Sequence, residues 1–158
     1  MERYTIFCDG SAEPRAPQKS YCCCAFVVFK GDVDGSEEMR DLRPAPFYKQ
    51  HGCIGRYPDQ TSQTAEYRAV IAALKWTAKN LPIDAEVELR TDSQLVQRQI
   101  SGQYQCNADH LRPLRDEARQ ILIGLPNLQI VWVPREQNDP ADELTKIATI
   151  EARNGVRV

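Results

Sequence analysis

Hydrophobic positions along the chain change period several times, and each change marks an element. Residues 3–9 (RYTIFCD), with Tyr4, Ile6, Phe7 and Cys8, predict a buried strand that stops at Asp9-Gly10-Ser11. Residues 20–30 predict a second strand, entered through a loop that holds Pro14 and Pro17. Residues 31–44 are charged and turn-rich, which predicts a loop or hairpin, with a third strand inside 45–56. Apolar residues then recur with helical period at Tyr67, Val70, Ile71, Leu74 and Ala78, in a helix that starts near Ser62 and is stopped by Asn80 and Pro82. Residues 85–91 alternate as a strand, and a short helix follows over 93–100. A longer helix over 108–123 presents Leu111, Leu114, Ala118, Ile121 and Leu122, and Gly124 and Pro126 end it. Residues 128–133 (LQIVWV) predict the last strand. Asp139 and Pro140 open a final helix as N-cap and first-turn proline, and Gly155 sits at its C-terminal end.

Three strands, a helix, a strand, two helices, a strand and a helix specify an α/β fold. Its expected core is a five-stranded mixed sheet, three strands antiparallel and then two parallel, flanked by helices. The helix at 62–79 acts as a crossover, so the strand at 85–91 pairs in parallel with the first strand. Both strands then end at one edge of the sheet, where ligand sites of such sheets gather. Each ends on an acid, Asp9 and Asp92. Two carboxylates brought together there repel unless a cation or a proton lies between them, and the arrangement implies a metal.

The 158 residues suit one domain, taken as residues 1–158. Apolar residues at 42% and charged residues at 27% exclude a disordered chain. Twenty basic against 22 acidic residues leave a net charge of −2, so an anionic partner must be met by a local patch. The longest apolar run, Tyr21 to Phe29, is too short to cross a bilayer, and no basic-then-apolar leader opens the chain. A cytoplasmic protein is expected, without membrane contact. The six cysteines form no Cys-x-x-Cys pair, which favours buried free thiols over a zinc site or disulfides.

Glu66, early in the crossover helix, and Asp142, early in the last helix, can join Asp9 and Asp92. Oxygen ligands of this kind suit Mg²⁺ or Mn²⁺, and a pair of such ions can activate water for phosphodiester hydrolysis. Each acid also has a structural reading: Asp9 as a turn former, Asp92 as a helix N-cap, Glu66 and Asp142 as acids complementing a helix dipole. If the four do cluster, at least one has a raised pKa without metal.

Four phrases carry a resemblance. Asp9-Gly10-Ser11, Thr64 to Ala69 (TAEYRA), Thr91 to Val96 (TDSQLV) and Asn138 to Leu144 (NDPADEL) are similar, in order and in the elements they occupy, to the four motifs of the ribonuclease H type 1 family. Trp132 to Asn138 (WVPREQN) resembles the run before the last acid in the short prokaryotic and plant-like members. The resemblance spans roughly residues 3 to 150. It implies endonucleolytic hydrolysis of the RNA strand of RNA/DNA hybrids with two divalent ions, leaving 5′-phosphate and 3′-hydroxyl ends. Asp9, Glu66, Asp92 and Asp142 would be the catalytic, metal-binding acids. Asp9 would bridge the ions, Asp92 and Asp142 would each favour one, and Glu66 would face the 2′-hydroxyl beside the cut.

The chain departs from that pattern in several places. Ser11 to Ser20 contains no glycine, and Cys22 and Cys23 stand where glycines are common. Ser62 and Gln63 replace asparagines before the helix glutamate. The stretch from Ser101 to Ala108 lacks the lysines and arginines of the family's basic protrusion, so hybrid affinity must come from elsewhere; Arg98, Arg112 and Arg115 are candidates for that role or for a solvated helix face. No hybrid-binding domain is expected ahead of residue 3. His51 and His110 read as structural, and Arg135 or Glu136 takes the place of a mobile histidine. Ser11, Ser62, Gln63 and Arg135 are the candidate substrate-binding residues, and a monomer is expected. Two other readings remain: a hybrid-binding module with little or no turnover, and a nuclease of the same fold acting on another nucleic acid.

Overall fold

The computed structural model describes residues 2–12 and 20–155. Alternation along β1 (Arg3–Ala12) organises the molecule. Tyr4, Ile6 and Cys8 pack on one side of the sheet with Tyr67, Val70 and Leu74, whereas Phe7 packs on the other with Ala25, Val27, Ala141 and Leu144. Because successive strand residues face opposite ways, the sheet is covered on both faces. β2 (Tyr21–Lys30) runs antiparallel to β1, and β3 (Tyr48–Arg56) antiparallel to β2. α1 (Ser62–Asn80) carries the chain over one face to β4 (Glu86–Thr91), which is parallel to β1. β5 (Leu128–Trp132) is parallel to β4 and completes the order β3-β2-β1-β4-β5. This is the expected mixed sheet. α2 (Gln94–Ser101) and α3 (Arg112–Ile123) lie between β4 and β5 in sequence, and α4 (Asp139–Arg153) follows β5.

Several expectations need correction. The first strand continues past Asp9 to Ala12, because β2 goes on pairing with it as far as Ala12↔Cys22. Ala78 is exposed; Thr77 is buried instead, its hydroxyl donating to the Ala73 carbonyl at 2.8 Å. The helix expected from 108 begins at Arg112, where Pro113 supplies a first-turn φ, and Leu111 is buried as the capping residue before it. The last helix is capped by Asn138 rather than Asp139. Of the loop or hairpin expected over residues 31–44 the structure shows the loop, with a 3₁₀ turn over Glu37–Leu42 that buries no residue. All six cysteines are free thiols. The glycine-free loop lies mostly at 13–19, outside the described residues.

Candidate active site

The parallel ladder between β1 and β4 ends at Cys8↔Thr91. Asp9 and Asp92 are therefore the next residues on neighbouring strands, brought level by the register alone. Glu66 reaches the same edge because α1 packs unusually close to β1. A Cβ on Gly10 would stand 2.2 Å from the Ala65 carbonyl carbon and 2.4 Å from the Glu66 nitrogen, so only glycine permits this approach. Thr61 caps α1 by accepting from the Thr64 nitrogen at 3.2 Å. Asp142 comes from the first turn of α4. That turn is tied to β1 by the fully buried Asn138, whose Nδ2 donates to the Cys8 carbonyl at 3.0 Å.

The four acids line one cleft of about 690 Å³, together with Ser11, Ser62 and Arg135. Gln63 is exposed on the first turn of α1 and is not among the lining residues. Asp9 lies deepest, at 8% exposure. Burial first, and then the charges of Asp92 and Asp142, push its pKa up to about 8, against a hydrogen bond from Thr145 Oγ1 at 3.2 Å. Burial and the Asp92 charge likewise push Glu66 up to about 7, opposed by a hydrogen bond with Ser93. Burial also raises Asp92, while hydrogen bonds from Asn138 and Asp9 favour its charged form. A proton on Asp9 donated to Asp92 is the simplest arrangement consistent with both shifts.

Asp142 instead meets cations, with Lys146 Nζ at 3.1 Å and Arg135 Nη2 at 3.5 Å. Protons and a lysine thus hold together carboxylates that would otherwise repel. A hard divalent cation would satisfy the same charges, and the donor set of four carboxylates fits it. Among the described residues, no three such groups stand close enough to grip one ion as they are.

Sequence reasoning missed Thr145 and Lys146, which lie three and four residues after Asp142 on one helix face. It also missed Tyr21, Thr149, Ile150 and Arg153, which extend the cleft along β2 and α4. The arginines weighed for substrate affinity have local tasks and are absent from the cleft lining. Arg112 donates to the carbonyls of Cys106 (2.9 Å) and Asn107 (2.8 Å), Arg98 to the Tyr104 hydroxyl at 2.8 Å, and Arg115 to Asp116 at 3.1 Å. His51 ties β3 to α4 through Glu151 at 2.9 Å, a structural task, and His110 is exposed.

Residues 51–148 match the model of the reverse transcriptase-like family. Over 99 residues the chain is 42% identical to ribonuclease HI of Halobacterium salinarum, a match covering 63% of this chain and 47% of that protein. The chain thus spans about half the length of that curated relative. The crystal structure of RNase H1 from the same archaeon superposes with a TM-score of 0.76 at 31% identity, over 94% of this chain and 98% of that one. A structure of LC11-RNase H1 in complex with an RNA/DNA hybrid superposes with a TM-score of 0.74 at 29% identity, over 94% and 98% of the two chains. The chain belongs to the reverse transcriptase-like family, and its fold is that of ribonuclease H1.

Proposed function

We propose that this chain is a metal-dependent ribonuclease H, a single catalytic domain acting as a monomer on the RNA strand of RNA/DNA hybrids. The observation that carries the reading is the convergence of Asp9, Glu66, Asp92 and Asp142 on one cleft, where burial and the neighbouring carboxylates push the pKa of Asp9 and Glu66 up. The similarity to RNase H1 proteins, one of them in complex with a hybrid, supports the substrate class.

Asp9, at the floor of the cleft, would hold divalent ions, Mg²⁺ or Mn²⁺, together with Asp92 and Asp142. Bound there, the ions would supply an activated water and neutralise the leaving oxygen of the phosphodiester. The chain's own residues do the rest. Thr145 orients the Asp9 carboxyl, Lys146 offsets the charge of Asp142, and Glu66 would face the ribose 2′-hydroxyl. Ser11, Ser62 and Arg135, on the cleft wall and rim, position the hybrid backbone.

End chemistry tests this reaction. Attack by water with loss of the 3′ oxygen leaves RNA fragments that a polynucleotide kinase labels only after phosphatase treatment, and that a polymerase extends from their 3′-hydroxyls. Fragments labelled without phosphatase would assign a different bond to the cut.

A further inference from the structure

Segment 31–44 lines no part of the cleft, yet it supplies the strongest polar contacts that α4 makes. Arg40 closes on Asp139 with two bonds, Nη2 to Oδ1 at 2.7 Å and Nε to Oδ2 at 3.0 Å. Arg43 adds a third, Nη2 to Oδ2 at 3.0 Å, and its Nη1 donates to the Ser36 carbonyl at 3.1 Å. Glu143 lies 3.3 Å from Arg40 Nε and Glu37 3.6 Å from its Nη2, so two guanidinium groups face three carboxylates. The side chains of Asp139 and Arg43 are each only 8% exposed. Backbone follows side chain. The Asp139 nitrogen donates to the Gly35 carbonyl at 2.9 Å, and a Cβ on Gly35 would stand 2.1 Å from the Gln137 carbonyl oxygen.

An ion network with Asp139 and Arg43 buried at its centre adds little stability over an apolar replacement, but its forked bonds fix orientation. Asn138 pins the start of α4 to β1 at one point, beside Asp9. Thr145 and the buried Ala141 and Leu144 hold one face of the helix to the sheet, and His51 ties its far end through Glu151. The grip on Asp139 adds a fixed point within the first turn itself, and together with Asn138 it sets the direction in which Asp142, three residues on, projects. We propose that Arg40, Arg43 and Asp139 are positioning residues that hold α4 so that Asp142 completes the metal site. This inference rests on the metal-dependent reading above.

The test compares Arg40→Met, Asp139→Asn, their double variant and Arg40→Lys with the unaltered chain. Three quantities are read: the Mn²⁺ or Mg²⁺ concentration giving half the metal-induced rise in Tm without nucleic acid, the Mg²⁺ concentration for half-maximal hybrid cleavage, and the hybrid Kd in chelator. For Arg40→Met and Asp139→Asn both metal midpoints are expected to rise by roughly tenfold, the size of effect seen when a ligand's supporting partner is removed. Hybrid Kd in chelator stays unchanged, and saturating Mg²⁺ restores kcat. Arg40→Lys, which keeps the charge but not the fork, recovers part of the loss. The double variant is no worse than the worse single one, because the residues act as a unit.

Variants that melt lower in chelator but titrate metal like the unaltered chain would overturn the proposal and leave the network a structural tie. Arg40 is 39% exposed, so Arg40→Met decides the matter even if Asp139→Asn fails to fold. If the unaltered chain itself shows neither a metal-induced shift nor hybrid cleavage, the reaction proposed above falls, and the positioning role falls with it.

Discussion

At Asp9 the chain keeps a carboxyl nearly out of water, with three other acids facing it and a pKa pushed up to about 8. A carboxyl whose folded pKa exceeds its unfolded one binds more protons when folded, so its stabilising effect is full below the unfolded pKa and is lost as pH rises through the folded one. For Asp9 that window runs from 3.8 to about 8, and for Glu66 from 4.5 to about 7. Asp139 and Asp34, held below their usual values by Arg40 and by the Ser36 backbone, act in the opposite sense but only below that window. In chelator, therefore, Tm should fall by several degrees between about pH 5 and about pH 8. Asp9→Asn should flatten that fall and raise Tm at the upper end, and Mg²⁺ should stabilise the unaltered chain most there. Thermal melts across pH check this, and a Tm that rises through the window would contradict it. The same variant should lower hybrid cleavage by roughly 10³-fold or more, as expected on losing several kcal/mol of metal-assisted charge stabilisation. Asp9 and Asp92 were legible in the sequence because each is the first acid after an apolar strand run, although β1 itself continues past Asp9 to Ala12. Thr145 and Lys146 were not, because which face of α4 meets the cleft is set by packing rather than by any local pattern.

At the scale of elements, two close approaches carry the geometry. Gly10 lets α1 lie against β1, and Gly35 lets the 31–44 segment lie against the entry to α4. Gly10→Ala and Gly35→Ala should each destabilise the fold by about 1–3 kcal/mol through overpacking, measured as lower urea midpoints; unchanged midpoints would mean that the elements are not in such contact. Gly10→Ala should also depress cleavage, since any retreat of α1 carries Glu66 with it. The periodic elements were readable from their apolar spacing, down to the start of α1 at Ser62. Segment 31–44 was not. Its 3₁₀ turn buries no residue, so it has no apolar period to find, and its attachment rests on ion pairs, on backbone hydrogen bonds and on the buried side chain of Val33. The start of α3 was misjudged because Leu111 is buried in a turn, where it mimics the first position of a helical stripe.

For the whole molecule, a net charge of −2 and a stretch from Ser101 to Ala108 without lysine or arginine make the cleft's cations the expected handle on a hybrid; among the described residues these are Arg135, Lys146 and Arg153. Three phosphate contacts give a plot of log affinity against log salt with a slope of roughly −3. Arg153→Met should make that slope shallower by about 1, as read by fluorescence anisotropy in chelator, and an unchanged slope would remove Arg153 from the interface. The sheet topology was legible because a crossover helix between strands dictates a parallel neighbour. The extent of the cleft along β2 and α4 was not, because it depends on which residues of α4 overhang the sheet. The most direct test of the whole account is cleavage of a hybrid labelled on each strand in turn, with Mg²⁺, Mn²⁺ or chelator, beside duplex RNA and duplex DNA and with Asp142→Asn as control. The account predicts metal-dependent cutting of the hybrid's RNA strand alone, lost in the variant. Cutting of either duplex, equal cutting by Asp142→Asn, or tight hybrid binding without cutting under any metal would contradict it.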